Sequence, residues 1–279
     1  MLPCEEVGVE LDAEVNMEPT LDQVVSWVKE AASMARQMRQ EDLQVRHKSK
    51  ADLVTEADTA IESFLIDKIN QNFPGHSVNA EESGEHGEDQ DHQWFIDPID
   101  GTLNYAHGLP QYAISVAYAQ KGALRLGVIA NPPMAEFFSA EAGKGAWLNG
   151  APIRVSDTRE LIDSMLITGF RHHLIDTPRS NINNFVRLSR EAQVIRRLGA
   201  AALDIAYVAC GRAEGFWEIA LNPWDVAAGI LMVREAGGVV STLYGEGHLL
   251  RGEVDILAAN REIYPKMQAI LAEERNKTL

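Results

Sequence analysis

The sequence predicts an α+β protein, with an N-terminal half built on antiparallel sheet and a C-terminal α/β half. Three observations carry this. Two stretches before residue 73 place apolar residues at helical spacing. Between about residues 94 and 150, short apolar runs are separated by Gly-containing turns, as in a meander of strands. After Ala151, short apolar runs alternate with longer periodic ones. The expected organisation is an acidic, aperiodic and mobile tail over 1–19, an α+β half over 20–150 and an α/β half over 151–279.

The elements follow in order. Thr20 caps a helix carried by Leu21, Val24, Val25, Val28, Ala31, Ala32 and Ala35. A second helix covers Thr55 to Asn72, with Ile61, Phe64, Leu65, Ile66 and Ile69 as its apolar positions, and Phe73-Pro74-Gly75 stops it. Strands are expected over Trp94 to Ile96, Tyr112 to Tyr118, Ala123 to Ala130 and Glu136 to Ala140, and Asn149-Gly150 is a hairpin-turn signal. Beyond it come a strand over Ser164 to Thr168, a helix over Ser180 to Arg190 and a strand over Gln193 to Arg196. A helix over Ala200 to Cys210, a strand over Glu214 to Ile219 and a helix over Pro223 to Ala236 follow. A strand over Asp255 to Ala259 and a helix over Ile263 to Glu274 close the chain.

With 279 residues, 46% of them hydrophobic, the chain has ample material for a core. A net charge of −16 argues against a surface that wraps nucleic acid, so no nucleic-acid partner is expected. The same charge repels a phosphorylated substrate at long range, so local cations are needed to bind one. No apolar run is long enough to span a membrane, and Met1 to Glu6 lacks the basic and apolar regions of a signal peptide. Two cysteines, Cys4 and Cys210, give no disulfide framework; Cys210 is expected as a buried thiol, and the setting as a reducing cytoplasm.

The chemistry concentrates in Asp97-Pro98-Ile99-Asp100-Gly101-Thr102. Two carboxylates three residues apart repel one another at close range, and a divalent cation with a preference for oxygen ligands removes that conflict. Pro98 pre-sets the backbone, Gly101 permits close approach and Thr102 adds a hydroxyl, so the segment reads as a metal-and-phosphate loop. Three more acidic segments accompany it: Asp52 to Asp58, Ala80-Glu81-Glu82-Ser83-Gly84, and Asn222-Pro223-Trp224-Asp225-Val226-Ala227-Ala228-Gly229.

Taken together, these four segments resemble the inositol monophosphatase family of Mg²⁺-dependent, lithium-sensitive phosphatases, over about Leu21 to Leu271. The resemblance implies a layered α-β-α-β-α sandwich of the sugar-phosphatase type. It implies Mg²⁺, two or three ions per site, with Li⁺ as an inhibitor. Glu81, Asp97 and the carbonyl of Ile99 would hold the first ion; Asp97, Asp100 and Asp225 the second; and Glu81 would help hold a weaker third. Glu81 and Thr102 would activate water, with Asp58 behind them as part of the catalytic set. The N–H groups of Gly101 and Thr102 would cradle phosphate, and Asp100, Gly199, Ala200, Ala201, Glu218 and Asp225 would face the alcohol. Lys48 takes the place of a family lysine near the site. A homodimer is also implied.

Each acid alone has a plainer reading. Asp58 completes a capping box with Thr55, Asp225 complements a helix dipole, Glu81-Glu82 is a solvated turn, and Glu218 makes a structural salt bridge. Their joint occurrence in one order selects the site. Gly143-Lys144-Gly145 lacks the Walker spacing and is a turn; His172-His173 lacks the spacing of a metal pair and faces solvent; Arg196-Arg197 is structural, or meets a partner subunit or second phosphate. Leu103 and Ala200 replace common hydroxyl residues, which bears on selectivity for inositol. The expected activity is Mg²⁺-dependent hydrolysis of inositol 1-phosphate, or a similar small polyol or sugar phosphate, by metal-activated water. Fructose 1,6-bisphosphate, histidinol phosphate and 3′-phosphoadenosine 5′-phosphate are the alternative substrates, a bisphosphate being disfavoured by scarce positive charge near the pocket. A regulatory binding partner of the transcription machinery is the alternative of another class.

Overall fold

The computed structural model describes residues 18–40, 45–49, 52–245 and 247–278, with side chains left undescribed over 45–54 and 274–278. The chain runs α1 (Leu21–Gln40), β1 (Val45–Ser49), β2 (Asp52–Thr55), α2 (Glu56–Asn72), β3 (His76–Ala80), β4 (Gly84–His86), β5 (Asp89–Asp100) and α3 (Thr102–His107). It continues with β6 (Ala113–Gln120), β7 (Ala123–Asn131), β8 (Glu136–Glu141), β9 (Gly145–Leu148) and β10 (Ala151–Pro152). Then come β11 (Met165–Thr168), α4 (Ile182–Glu191), β12 (Val194–Arg196), α5 (Ala201–Ala209), β13 (Gly215–Leu221), α6 (Pro223–Glu235), β14 (Val239–Thr242), β15 (Val254–Ala259) and α7 (Tyr264–Thr278).

Five layers result. An eight-stranded sheet has the order β10-β9-β8-β7-β6-β5-β3-β4 and is antiparallel except where β3 pairs with β5. A five-stranded sheet has the order β12-β11-β13-β15-β14; β11 lies parallel to β12 and β13, and β15 runs antiparallel to both its neighbours. Three apolar cores stack these layers. Val28 and Ala32 of α1 and Ile61 and Leu65 of α2 pack on Trp94, Val116 and Val128 of the large sheet. Its other face presents Phe95, Ile129 and Phe138 to Ile205 of α5 and Ile230 of α6, which cover Phe216 and Ile256 of the small sheet. Leu188 of α4 and Met267 and Leu271 of α7 close the stack on Trp217 and Leu257. This is the α-β-α-β-α sandwich, and each helix is held by burial of its apolar stripe.

Several local expectations change. The Asp97 to Asp100 motif is not a loop. It is the end of the 12-residue strand β5, where the register against β6 shifts between Asp97 and Asp100. Pro98 sits at this irregularity, one of the few places a sheet admits a residue without an N–H. The polar strands β3 and β4, the hairpin β1–β2 and strand β14 add to the expected elements, and the short helix α3 starts at Gly101 and Thr102 as expected. Most of the expected tail lies outside the described residues, but Pro19 is buried and Gln120 donates to Glu18 at 2.7 Å, so the chain docks before Thr20. Cys210 caps α5 half-buried rather than fully enclosed. The Asn149-Gly150 turn joins β9 to β10 with both residues at positive φ. Among the described residues, no helix is long and apolar enough to cross a membrane.

Candidate active site

Four acidic segments meet at one end of β5. Asp97 and Asp100 end this strand, and Glu81 follows β3, its parallel neighbour, with its N–H donating to the Ile96 carbonyl at 3.2 Å. Asp225 stands in the first turn of α6, and Glu218 lies in β13. Asp97, Asp100, Glu218 and Asp225 are all buried and Glu81 is half-buried.

The electrostatics show the conflict the sequence implied. Asp97 is held well above the usual carboxylate range, first by burial and then by the charges of Glu81, Asp100 and Asp225. Asp100 is pushed up to about 7 by burial and by Asp225, against the pull of backbone N–H groups at the start of α5. Two of these bonds are short: Ala201 N–H to Asp100 Oδ1 at 3.0 Å and Ala202 N–H to Asp100 Oδ2 at 2.8 Å. Glu218 is pushed up to about 8 by burial, opposed by Arg171. Asp225 is raised by burial and drawn back by Arg171.

The residues expected around water and phosphate also come together. Thr102 Oγ1 lies 3.1 Å from Asp58 Oδ1 and 3.0 Å from the Ile99 carbonyl. Asp58 Oδ2 accepts from the Thr55 N–H at 2.8 Å, so the capping role and the contact with Thr102 belong to one side chain. Asp225 repeats the pattern. Its Oδ2 accepts from the Asn222 N–H at 2.8 Å in a capping box and from Arg171 Nη2 at 3.0 Å. Gly101 caps α3 at φ 89°, and a Cβ there would come within 3.0 Å of the Gly199 carbonyl and 3.1 Å of the Ala200 Cβ. Gly199, Ala200 and Ala201 therefore line the approach to Gly101 and Asp100. Lys48 falls in β1, and its side chain lies outside the described residues.

The donor set suits a hard cation. Asp97 Oδ1 is buried and has no hydrogen-bond partner among the described residues, an arrangement that costs free energy unless something else satisfies it. Carboxylates crowded to this degree are the oxygen-rich environment that Mg²⁺ favours. A different cluster lies at the other end of β5, where His76, Asp89 and His92 each bring a ligand atom within 4.8 Å of one another. There Trp94 Nε1 donates to His76 Nδ1 at 3.1 Å, which places the neutral ring's proton on Nε2. His76 stacks on His92 and on Phe73. A metal at Nε2 would have to displace that proton, so this cluster reads as a hydrogen-bonded aromatic stack.

The family model for the inositol monophosphatase family matches residues 16–278. The chain belongs to the inositol monophosphatase family. It is 44% identical over 238 residues to the Nus factor SuhB of Salmonella typhimurium, covering 85% of this chain and 89% of that one. It is 43% identical over 231 residues to the inositol-1-monophosphatase of Synechocystis, covering 82% and 80%. Among solved structures, the extragenic suppressor protein suhB of Bartonella henselae superposes with a TM-score of 0.85 at 40% identity, covering 90% of this chain and 97% of that one. Family membership makes a phosphorylated small molecule the expected substrate and a divalent cation the expected cofactor.

Two charged residues beside these carboxylates were missed in the sequence. Arg171 follows β11, donates from Nε to the Ala220 carbonyl at 2.9 Å and bridges to Asp225, with Glu218, Glu81 and Asp100 in its field. Arg171 thus brings one positive charge into a site of crowded carboxylates, and that charge is already bonded to Asp225. Arg171 carried no pattern in the sequence. Asp204 did carry one, as the lone acid in the apolar helix Ala201–Ala209. It is buried beside Asp100 and Glu218, with Oδ1 unpartnered.

Proposed function

We propose that the protein is a Mg²⁺-dependent phosphomonoesterase that hydrolyses inositol 1-phosphate or a similar small polyol or sugar phosphate. The observation carrying this reading is the convergence of Glu81, Asp97, Asp100 and Asp225 around a buried, unpartnered Asp97 oxygen. Glu81, Asp97, the Ile99 carbonyl, Asp100 and Asp225 would hold the ions. Bound Mg²⁺ supplies neutralisation of phosphoryl charge and a water of lowered pKa.

The remaining chemistry belongs to the side chains. Thr102 has one hydroxyl proton, and giving it to Asp58 Oδ1 leaves its lone pairs facing the site. A water donating to Thr102 Oγ1 and to Glu81 is then oriented with its own lone pair free for phosphorus. Glu81 would take up the water proton as the bond from phosphorus to the alcohol oxygen breaks, and the departing alkoxide would take a proton from solvent water. The N–H groups of Gly101 and Thr102 meet the phosphoryl oxygens. Glu218, a buried carboxyl whose pKa burial raises, suits a hydroxyl-rich alcohol as a hydrogen-bond partner. Asp100 and Asp225 face the same alcohol beside Gly199, Ala200 and Ala201. Li⁺ inhibition, a homodimer and a cytoplasmic setting complete the reading.

Phosphate release from inositol 1-phosphate, fructose 1,6-bisphosphate and histidinol phosphate, with and without Mg²⁺ and with Li⁺, tests it. Mg²⁺-dependent release from inositol 1-phosphate, blocked by Li⁺, is expected; release independent of Mg²⁺ refutes the mechanism. A second reading, a binding partner of the transcription machinery, is favoured by the name Nus factor borne by the SuhB relatives. Capture of RNA polymerase by an Asp97→Asn variant tests that role apart from catalysis.

A further inference from the structure

Glu62 lies on α2 one turn beyond Asp58, so the two carboxylates share a helix face. Its side chain is only 3% exposed. Glu62 Oε2 accepts from the Glu82 N–H at 2.8 Å, and Oε1 accepts from the Ser83 N–H at 2.9 Å. These two amides immediately follow Glu81 in the tight connection between β3 and β4, which pair at Ala80 and Gly84. On its other side, Glu81 is tied to β5 through its own N–H on the Ile96 carbonyl, next to Asp97. The Glu81 backbone is therefore fixed from both directions, by the sheet and by Glu62.

Burying another carboxylate beside a site already rich in negative charge is costly, and charge-assisted bonds from two amides offset that cost in a geometry that also sets the turn. We propose that Glu62 is a positioning residue for the metal centre: it holds the Glu81 turn at the spacing from Asp97 that lets both carboxylates reach one cation. Asp58 and Glu62 then form a two-point support on α2, Asp58 holding Thr102 and Glu62 holding Glu81. This rests on the reading of Glu81 as a metal ligand.

The test uses the full chain and Mn²⁺ as the probe, with free Mn²⁺ followed by its EPR signal, beside Mg²⁺-dependent phosphate release. Supporting side chains of this kind typically govern metal affinity by roughly 10- to 100-fold. Glu62→Gln keeps the size and one acceptor but points an amide NH₂ at a backbone N–H. It is expected to weaken Mn²⁺ binding about 10-fold, and Glu62→Ala by up to about 100-fold. The concentration of Mg²⁺ giving half-maximal rate should rise in step, while kcat at saturating Mg²⁺ stays within about 3-fold, a change of well under one decade of transition-state stabilisation. A merely structural role would lower the unfolding midpoint of both variants and leave Mn²⁺ affinity of the folded protein unchanged, which overturns the proposal. Wild-type protein that takes up no Mn²⁺ would instead refute the metal reading of the whole site.

Discussion

Replacing Asp100 by Asn should move stability and activity in opposite directions. Asp100 titrates near 7 in the folded metal-free protein, against an ordinary value of 3.8. An acid whose folded pKa is raised keeps a proton that the unfolded chain has already released. Stability is therefore highest below the unfolded value, falls as pH climbs from about 4 to about 7, and levels off above it. At about 1.4 kcal/mol per pH unit, three units cost about 4 kcal/mol at pH 8. Asn escapes that penalty but loses something else. Both Asp100 oxygens accept amides from the start of α5, and the Asn NH₂ would face one of them, at a cost of about 1–3 kcal/mol. The balance is a metal-free Asp100→Asn protein more stable than wild type by about 1–3 kcal/mol at pH 8, with no gain at pH 4. Mg²⁺ should stabilise the wild type and have much less effect on the variant. Urea unfolding at the two pH values, with EDTA or with Mg²⁺, reads these numbers. Turnover should fall at least 100-fold, about 3 kcal/mol of transition-state stabilisation. A variant less stable than wild type at pH 8 in EDTA, or one with near-normal turnover, would refute the argument that these carboxylates are crowded for a cation.

Three further perturbations follow from contacts in the site. A Cβ at Gly169 would run into the Glu218 carboxylate, so Gly169→Ala should push Glu218 out of place, raise KM for a polyol phosphate more than it lowers kcat, and destabilise the fold by about 1–3 kcal/mol in thermal unfolding. Thr102→Val keeps the shape of the side chain and removes the hydroxyl between Asp58 and the proposed water; kcat should drop about 100-fold with KM little changed in steady-state kinetics. Arg171→Met withdraws the guanidinium from Asp225, so half-saturating Mg²⁺ should fall several-fold while KM for the phosphate ester rises, opposite movements in one Mg²⁺ titration series.

The helices and inner strands were legible because burial on one face writes a period into the sequence. Leu21 to Ala35, Ile61 to Ile69 and the runs in β6, β7 and β13 are such cases. Strand β3 was not, since His76, Ser77 and Asn79 are polar yet buried, and it is the pairing with β5 and β4 that makes them a strand. The first residues of β5, Asp89 to Gln93, are polar too, and being exposed or half-buried they write no apolar run into the sequence. The carboxylate motifs stood out because their order is specific. Arg171 and Glu62 did not enter the reading because each is defined by neighbours far away in sequence, Asp225 and the Glu82 amide, whereas Asp204 was visible as a lone acid in an apolar helix and was passed over.

The local and functional readings of the acids turn out to be one arrangement. Taken alone, Asp58 and Asp225 are helix-start residues, and each does make its capping bond. In both, Oδ2 is committed to the cap, on the Thr55 and Asn222 amides respectively. For Asp58 the other oxygen holds Thr102. A capping box fixes χ angles that an exposed acid would leave free, so the cost of orienting the carboxylate is met when the helix forms rather than when a ligand binds. Asp100 applies the same device from outside the helix, fastened by the amides that open α5. The starts of α2, α5 and α6 thus orient three acids toward one place. Their partly positive ends temper the repulsion that crowding creates. Deleting that amide, as in Asn222→Pro, should therefore loosen Asp225 and weaken Mn²⁺ binding even though residue 222 is no ligand; unchanged affinity would show that the cap serves the helix alone.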